Sequence, residues 1–541
     1  MQAKHKRFTF FFIMLAIPVV FFLLLEGALR IAGFGGKLPL FIENPAHTDY
    51  LLPRPDILSR YFPEEHVPRV TMEANFFLKE KPENGFRLVV QGGSTAAGFP
   101  YGLGASLSGM LDSRLRQTYP NRDVEVINTA MSAVNSYLLK DLAPEIVGQE
   151  PDAVLIYAGH NEYLGIFGVG SNFQFGGPLV TRMYLSLYSL AIVDALQHLL
   201  MPTPQDNETL SGSSRTFMAQ VAKNTMIPIG SEAYKQGLRQ FEANMRQLID
   251  VYRQAGIPVY LSTIASNLGD QAPLGTNSAA ANDAQLAYER GRKALAAGNH
   301  VAAKQHFTRA RDLDPLRFRA PGDINAIIRT LSTQPGVYLV DALAEMEARS
   351  TNGVIDNALM LEHLHPNVPG YFLIAESFYK AIINSPLGES SKKMDTAHAW
   401  RLRPLTPAEE YYGYAQVQAL LSDYPFRPEP APIVLSEPAD WQQRLGKAYF
   451  EKRLNWLEMM KKLRAGYIRN NDVVMEIKAT ALIAQALPHD PLSNEQAADL
   501  LYKMRRDAEA LHFYQRAKRA GSATNNLDTR IAMLKDRLTK Q

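Results

Sequence analysis

Four short stretches of this sequence combine residue types that can do nucleophilic chemistry. The first is Gln91-Gly92-Gly93-Ser94-Thr95-Ala96-Ala97-Gly98, directly after an apolar run. Glycines before a serine allow a sharp strand-to-helix turn that exposes the hydroxyl. That is one way to present a nucleophile. The same string could cradle a phosphate, but it lacks the Lys-Ser/Thr ending of a P-loop and the GxGxxG spacing of a dinucleotide fold. The second is Asn128-Thr129-Ala130-Met131-Ser132-Ala133, which offers turn backbone amides. The third is Gly159-His160-Asn161-Glu162. The Asn161 amide can donate two hydrogen bonds, the role an oxyanion hole requires. The fourth is Glu362-His363-Leu364-His365-Pro366-Asn367. A carboxylate and a histidine three residues apart can share one turn. The carboxylate could fix the imidazole tautomer, and the imidazole could take a serine proton. His363 is the internal rival to His365. His-x-His is a weak metal signal, and neither a metal nor another cofactor is expected.

The elements that must position these residues have a regular texture from residue 86 onward. Short β-rich runs at 87–90, 124–127, 153–157, 258–262 and 337–340 alternate with helical segments near 105–119, 137–149, 232–255 and 323–333. Strand, helix, strand in repetition predicts a parallel sheet covered on both faces. Ligand sites in such sheets lie at the carboxyl ends of the strands. The first three stretches fall there.

Composition sets the outer limits. The 541 residues correspond to three or four domains at about 150 residues each. A hydrophobic share of 46% with 21% charged residues is globular and excludes disorder as the main state. A mean hydropathy of −0.17 with one long uncharged apolar run excludes a polytopic membrane protein. A net charge of +3 gives no sign of a nucleic-acid partner. With no cysteine, disulfides, thiolate metal sites and cysteine nucleophiles are excluded, and an oxidising compartment is compatible.

Lys4, Lys6 and Arg7 precede an uncharged run at 8–25, and Glu26 and Arg30 follow it. Eighteen residues of helix span about 27 Å, near the thickness of a hydrocarbon core. The preceding positive charges predict a cytoplasmic N-terminus, with the bulk of the chain periplasmic or extracellular. A cleaved signal peptide and a buried core helix are the alternatives; the run is long for the former, and 26–30 is a poor cleavage site. The chain therefore divides into a basic tip and signal anchor (1–34), a juxtamembrane lead-in without clear period (35–85), a sheet domain (86–390), a linker (391–439) and a helical domain (440–541). Two insertions interrupt the sheet domain. Residues 165–230 include the apolar 179–200 segment with Arg182, Asp194 and His198. These charges are expensive in lipid, so a packed helix or a lid over an apolar pocket is expected. Residues 283–316 resemble a tetratricopeptide repeat through Ala287, Gly291, Leu295, Ala303, Phe307, Ala310 and Pro315. A half-pattern recurs at Ala510, Tyr514 and Ala517. A generic helical hairpin is the plain alternative for both. Such helices bind partners or stack on neighbours.

Taken together, the four stretches resemble the SGNH branch of the GDSL serine hydrolases, over roughly 86–385. Gly92-Gly93-Ser94-Thr95 matches the first block. Asn128 to Ala133 matches the second, with Ala133 or Ala130 where the family has glycine. Gly159-His160-Asn161-Glu162 matches the third, and Glu362-x-x-His365-Pro366-Asn367 the last, with Glu for the usual Asp. The resemblance implies a flavodoxin-like three-layer α/β/α fold. It implies Ser94 as nucleophile, His365 as base and Glu362 as its orienting carboxylate. The Ser94 amide, the Ala133 amide and the Asn161 side chain would hold the oxyanion, supported by Gly93, Gly159 and Asn128. It further implies an esterase or acylhydrolase acting on an acyl lipid or acylated glycan. An O-acyltransferase or deacetylase of envelope polysaccharide is the second reading. A catalytically inactive fold serving as an assembly module through its helical repeats is the third.

Overall fold

The computed structural model describes residues 2–36, 38–62, 67–68, 70–172, 177–188, 190–200, 225–275, 279–389 and 392–540. Parts of the expected lid-like insertion, 173–176 and 201–224, lie outside the described residues. The chain opens with helix α1, Gln2–Ile31. Its stretch Phe10–Ile31 is 22 residues of mean hydropathy 2.5 with none of it buried. It is the described helix long and apolar enough to cross a membrane. The lead-in then contains a small antiparallel sheet, β1 Phe41–Asn44, β2 His47–Pro53 and β3 Phe77–Leu78. No period announces these strands because side chains of the next sheet fix one of them. Leu78 O accepts from Arg87 Nη2 at 2.6 Å, and Leu78 N donates to Glu125 Oε1 at 2.8 Å.

The main sheet comprises β4 Gly85–Gly92, β5 Asp123–Asn128, β6 Ala153–Tyr157, β7 Val259–Ser262 and β8 Val337–Val340. Its order is β5-β4-β6-β7-β8, and each pair is parallel. The central strands β4, β6 and β7 are buried along their whole length, which requires cover on both faces. The helices supply it. Crossovers between parallel strands are right-handed, so reversing the direction of strand addition after β5 moves the connecting helix to the other face. Helix α2, Leu107–Thr118, accordingly lies opposite α3 Ser136–Val147, α4 Glu232–Gln254 and α5 Gly322–Leu331. After β8, α6 Ala342–Arg349 leads to α7 Val368–Ile383, which returns to pack beside α2. Central β4 sits where the order reverses. Val90 pairs with Asn128 on one side and Gly92 with Tyr157 on the other. The loops after β4, β5 and β6 therefore open into one crevice.

Two peripheral regions differ from expectation, and a third is as expected at the level of its helices. Residues 391–439, read as a linker, hold helices Thr396–Arg401 and Pro407–Leu421. Proline suggested a linker, but Pro407 stands in the first turn of its helix, where proline is favoured, behind a Thr406–Glu409 capping box. The 179–200 segment, expected as one packed helix or a lid, is not a single helix. It forms two helices, Pro178–Leu187 and Ala191–Leu200, with Leu179 71% and Leu199 79% exposed. The repeat-like insertion is a helix pair, Ala279–Ala296 and His300–Leu313. A Cβ on Gly291 would come within 2.6 Å of the Phe307 ring, so the small residue sets the close approach. Six more helices fill 441–539, and each packs on the next in chain order.

One buried ion pair ties the outer helices of one face. Arg114 of α2 pairs with Glu376 of α7, and the guanidinium lies 3.5 Å from the Tyr379 ring centroid. Both charged groups are nearly inaccessible. Removing one partner strands the other in low dielectric. Glu376→Ala should therefore cost about 3–5 kcal/mol in urea unfolding of the detergent-solubilised chain. The double change Arg114→Met with Glu376→Leu should recover most of that loss.

Candidate active site

Ser94 opens a single helical turn, Ser94–Ala97, immediately after β4. Gly98 ends it at φ +99°, donating its N–H to Ser94 O at 3.0 Å. Two glycines before the serine are required by close approach. A Cβ on Gly92 would stand 2.2 Å from Tyr157 O, and one on Gly93 would stand 2.6 Å from Asn161 Nδ2. The turn thereby sets Ser94 against the loop that follows β6.

Ser94 Oγ lies 2.7 Å from His365 Nε2. On the other side of the ring, His365 Nδ1 pairs with Glu362 Oε1. A carboxylate accepts only, so the proton belongs on Nδ1 and the Nε2 lone pair faces the serine hydroxyl. The two Glu362 oxygens also accept from the backbone, from His365 N at 3.0 Å and Leu364 N at 3.3 Å. The segment is a tight turn. Leu361 N donates to His365 O at 2.8 Å, and Asn367 N to Leu359 O at 3.0 Å. The helix starts only at Val368, with the Asn367 side chain accepting from Gly370 N at 3.0 Å. Glu362 and His365 thus share one turn ahead of the helix, in which the longer Glu side chain folds back onto its own backbone.

Burial pushes the His365 imidazolium well below its ordinary range, so the ring is neutral at pH 7. The Phe99 ring, centred 4.6 Å from it, contributes to that burial. Tyr371 Oη donates to Phe99 O and fixes the position of Phe99. His363 points elsewhere, toward the rings of Phe318 and Phe426. Its Nδ1 abuts the second Glu362 oxygen without the alignment of a hydrogen bond. Glu362, His363 and His365 place three ligand-type atoms within 4.8 Å of one another. Both nitrogens of His365 are already engaged by Ser94 and Glu362.

Three donors on the loops after β4, β5 and β6 have no protein acceptor among the described residues: the Ser94 amide, the Ala133 amide and the Asn161 side chain. Ala133 adopts φ +64°, a left-handed conformation that glycine adopts freely and alanine does not. Ala130 is the alternative position, but its amide is already spent on Asn128 Oδ1 at 2.9 Å. Asn128 Nδ2 donates in turn to Ala96 O at 3.2 Å, joining the β5 loop to the serine turn. Ile166 N donates to Ala133 O at 2.9 Å, joining the β5 and β6 loops, and Gly165 N donates to Asn161 O at 2.7 Å within the β6 loop. Gly159, at φ +149°, sits under Ile264 and Ile324 with no room for a side chain.

The neighbours of Asn161 serve the scaffold. Ala320 N donates to His160 Nδ1 at 3.2 Å, and His160 Nε2 donates to Ala265 O at 3.1 Å. Burial lowers the His160 pKa to about 3. Glu162 accepts from Ser136 N, Ser136 Oγ and Gln240 Nε2 at 3.1, 2.8 and 2.7 Å, fixing the start of α3 beside Ala133. Burial pushes its carboxyl up to about 7 against these donors. Phe99, Ser136 and Gln240 carry no motif that sequence reasoning could have used.

The positive φ separates the two alanines energetically. A left-handed alanine costs about 1–2 kcal/mol, whereas a glycine costs about 0.5–1 kcal/mol in chain entropy. Ala133→Gly should thus be neutral or stabilising by up to about 1 kcal/mol, and Ala130→Gly destabilising by about 0.5–1 kcal/mol, in denaturant titrations.

No protein-family model matches this chain, and no curated protein does. Several solved structures are similar over about half of it. An acetyl xylan esterase, AlAXEase, is 14% identical, with 55% of this chain and 100% of that chain covered and a TM-score of 0.30. A variant of Axe2, an acetyl-xylooligosaccharide esterase from Geobacillus Stearmophilus, is 17% identical over 57% and 99%, with a TM-score of 0.29. A GDSL-like lipase from Bacteroides thetaiotaomicron is 12% identical over 55% and 87%, with a TM-score of 0.26. Likeness at this level assigns this chain neither family nor activity.

Proposed function

We propose that this chain is a membrane-anchored SGNH-type serine esterase or acylhydrolase, acting on an acyl ester outside the cytoplasmic membrane. One observation carries the reading: the unbroken relay from Ser94 Oγ to His365 Nε2 at 2.7 Å and from His365 Nδ1 to Glu362. Ser94 Oγ attacks the ester carbonyl while His365 Nε2 takes its proton. The oxyanion is received by the Ser94 and Ala133 amides and Asn161 Nδ2. Collapse of that intermediate expels the alcohol, protonated by His365. Water then attacks the acyl-serine carbonyl while His365 takes its proton, and His365 returns that proton to Ser94 Oγ as the acid leaves. Glu362 holds the tautomer throughout. Lys4, Lys6 and Arg7 before the apolar run support an N-terminus in the cytoplasm.

Transfer of acyl groups to or from an envelope glycan is favoured by one feature. A cavity of about 370 Å³ lies between the sheet and the C-terminal helices. Phe99 lines it and also packs on the His365 ring. Tyr101, Tyr412, Tyr449 and Trp456 line it together with Glu73 and Gln416. Aromatic faces among amides and carboxylates suit sugar rings. The helix pair at 279–313 and the helices after 440 are read as tetratricopeptide-like, able to hold a protein partner.

A fluorophosphonate, which stays covalently on an activated serine, tests the relay. It should label the detergent-solubilised wild type and not Ser94→Ala or His365→Ala. Folded wild type that resists labelling would remove the esterase reading. Glu362→Gln should slow hydrolysis of a short acyl ester by about 10⁴ through the wrong tautomer, with KM little changed. The base must be unprotonated to act, and burial lowers the His365 pKa. Activity should therefore persist well below pH 6.5, the ordinary histidine value. An acid limb centred at or above that pH would contradict a buried base.

A further inference from the structure

The two helices Pro178–Leu187 and Ala191–Leu200 present apolar side chains that the described residues leave exposed. Leu179, Val180, Met183 and Leu187 are between 40% and 71% exposed. At 100° per residue they fall within one arc of the first helix, and Leu196 and Leu199 are exposed on the second. Thr181, Tyr184 and Tyr188 turn the other way. Tyr184 Oη donates to Tyr61 O at 2.5 Å and Tyr188 Oη to Asp141 Oδ2 at 3.2 Å. The hairpin thus has one polar-anchored face on the protein and one apolar face directed away from it.

Its position says what covers that face. The turn between the two helices is clamped to the last turns of α1. The Glu26 carboxylate accepts from Ala191 N at 2.9 Å and Ile192 N at 3.1 Å, at the start of the second helix. Asp194 Oδ2 accepts from Gly35 N at 2.8 Å. A Cβ on Gly35 would come 2.6 Å from Ala191, so the two backbones touch. Glu26 is the first charge after the uncharged run at 8–25. If that run spans the hydrocarbon, Glu26 marks its outer boundary, and the clamp holds the hairpin at that depth.

We infer that the 178–200 hairpin lies in the outer leaflet of the anchoring bilayer, with Leu179, Met183, Leu187 and Leu199 among the acyl chains. This rests on the anchored orientation proposed above. The placement brings the site near the lipid surface. Phe167 packs on Tyr184, and the adjacent Ile166 bonds Ala133. An ester carried by a lipid would thus reach Ser94 without leaving the membrane surface.

The absence of cysteine makes the test direct. Single cysteines at Met183, Leu199, Val19 and Lys461 are labelled with a polarity-sensitive fluorophore in the full chain. The chain is reconstituted in phosphatidylcholine vesicles containing brominated lipids. Probes at 183 and 199 should be blue-shifted and quenched most by bromines near the headgroups, Val19 by deep bromines, and Lys461 by neither. If Val19 is quenched while 183 and 199 emit as Lys461 does, the hairpin proposal fails and the anchor stands. If Val19 is also unquenched, the anchor reading fails and takes the proposal with it. Blue-shifted probes at 183 and 199 without quenching would mean a protein covers the hairpin, which overturns lipid as its occupant.

Discussion

A carboxylate almost without access to water organises this site. Glu362 is 3% exposed, and a buried carboxylate survives only when donors surround it. Here the donors are His365 Nδ1 and two backbone amides of the same turn. Those bonds close the turn, delay the start of α7 to Val368 and aim Nε2 at Ser94. Position 362 therefore orients the His365 ring and also shapes the backbone that carries it. The extra methylene of glutamate is absorbed in that backbone, and the distance from His365 to the serine stays at 2.7 Å.

The other half of the site follows from sheet topology. Reversal of strand order at β4 places three loops around one crevice. Their backbones then crowd one another, which explains the glycines at 92 and 93 beside Tyr157 and Asn161. Ala133 is the exception, an alanine held at positive φ. Hydrogen bonds from Ile166 to Ala133 and from Gly165 to Asn161 hold the loop in this conformation. The strain leaves the Ala133 amide among the three donors without a protein acceptor.

The C-terminal helices are joined to the sheet by more than chain connectivity. Arg519 pairs with Asp123 beside β5, Gln485 donates to Asp112 of α2, and Tyr50 Oη donates to Pro488 O at 3.3 Å. Gln485 and Asp112 line the aromatic cavity, as does Phe99. At the opposite end of the chain, Glu26 fastens the apolar hairpin to α1. Polar contacts at both ends thus fix large apolar or aromatic surfaces near one crevice.

The sequence by itself determined the alternation of strands and helices, because burial on both faces leaves unbroken apolar runs such as 153–157. It also marked Ser94, Asn161, Glu362 and His365, since glycines, proline and polar residues just after apolar runs are local signals. Other features had no local signal. The strands at 41–78 depend on Arg87 and Glu125 from a different sheet. The choice of His365 over His363 was made by which ring meets a serine 271 residues away in sequence. The choice of Ala133 over Ala130 was made by a φ angle that residue type argues against. The helices at 396–421 were hidden by prolines that cap as readily as they break. Tertiary structure decided these points for one reason. Each depends on a partner distant in sequence, and spacing along a chain records only neighbours.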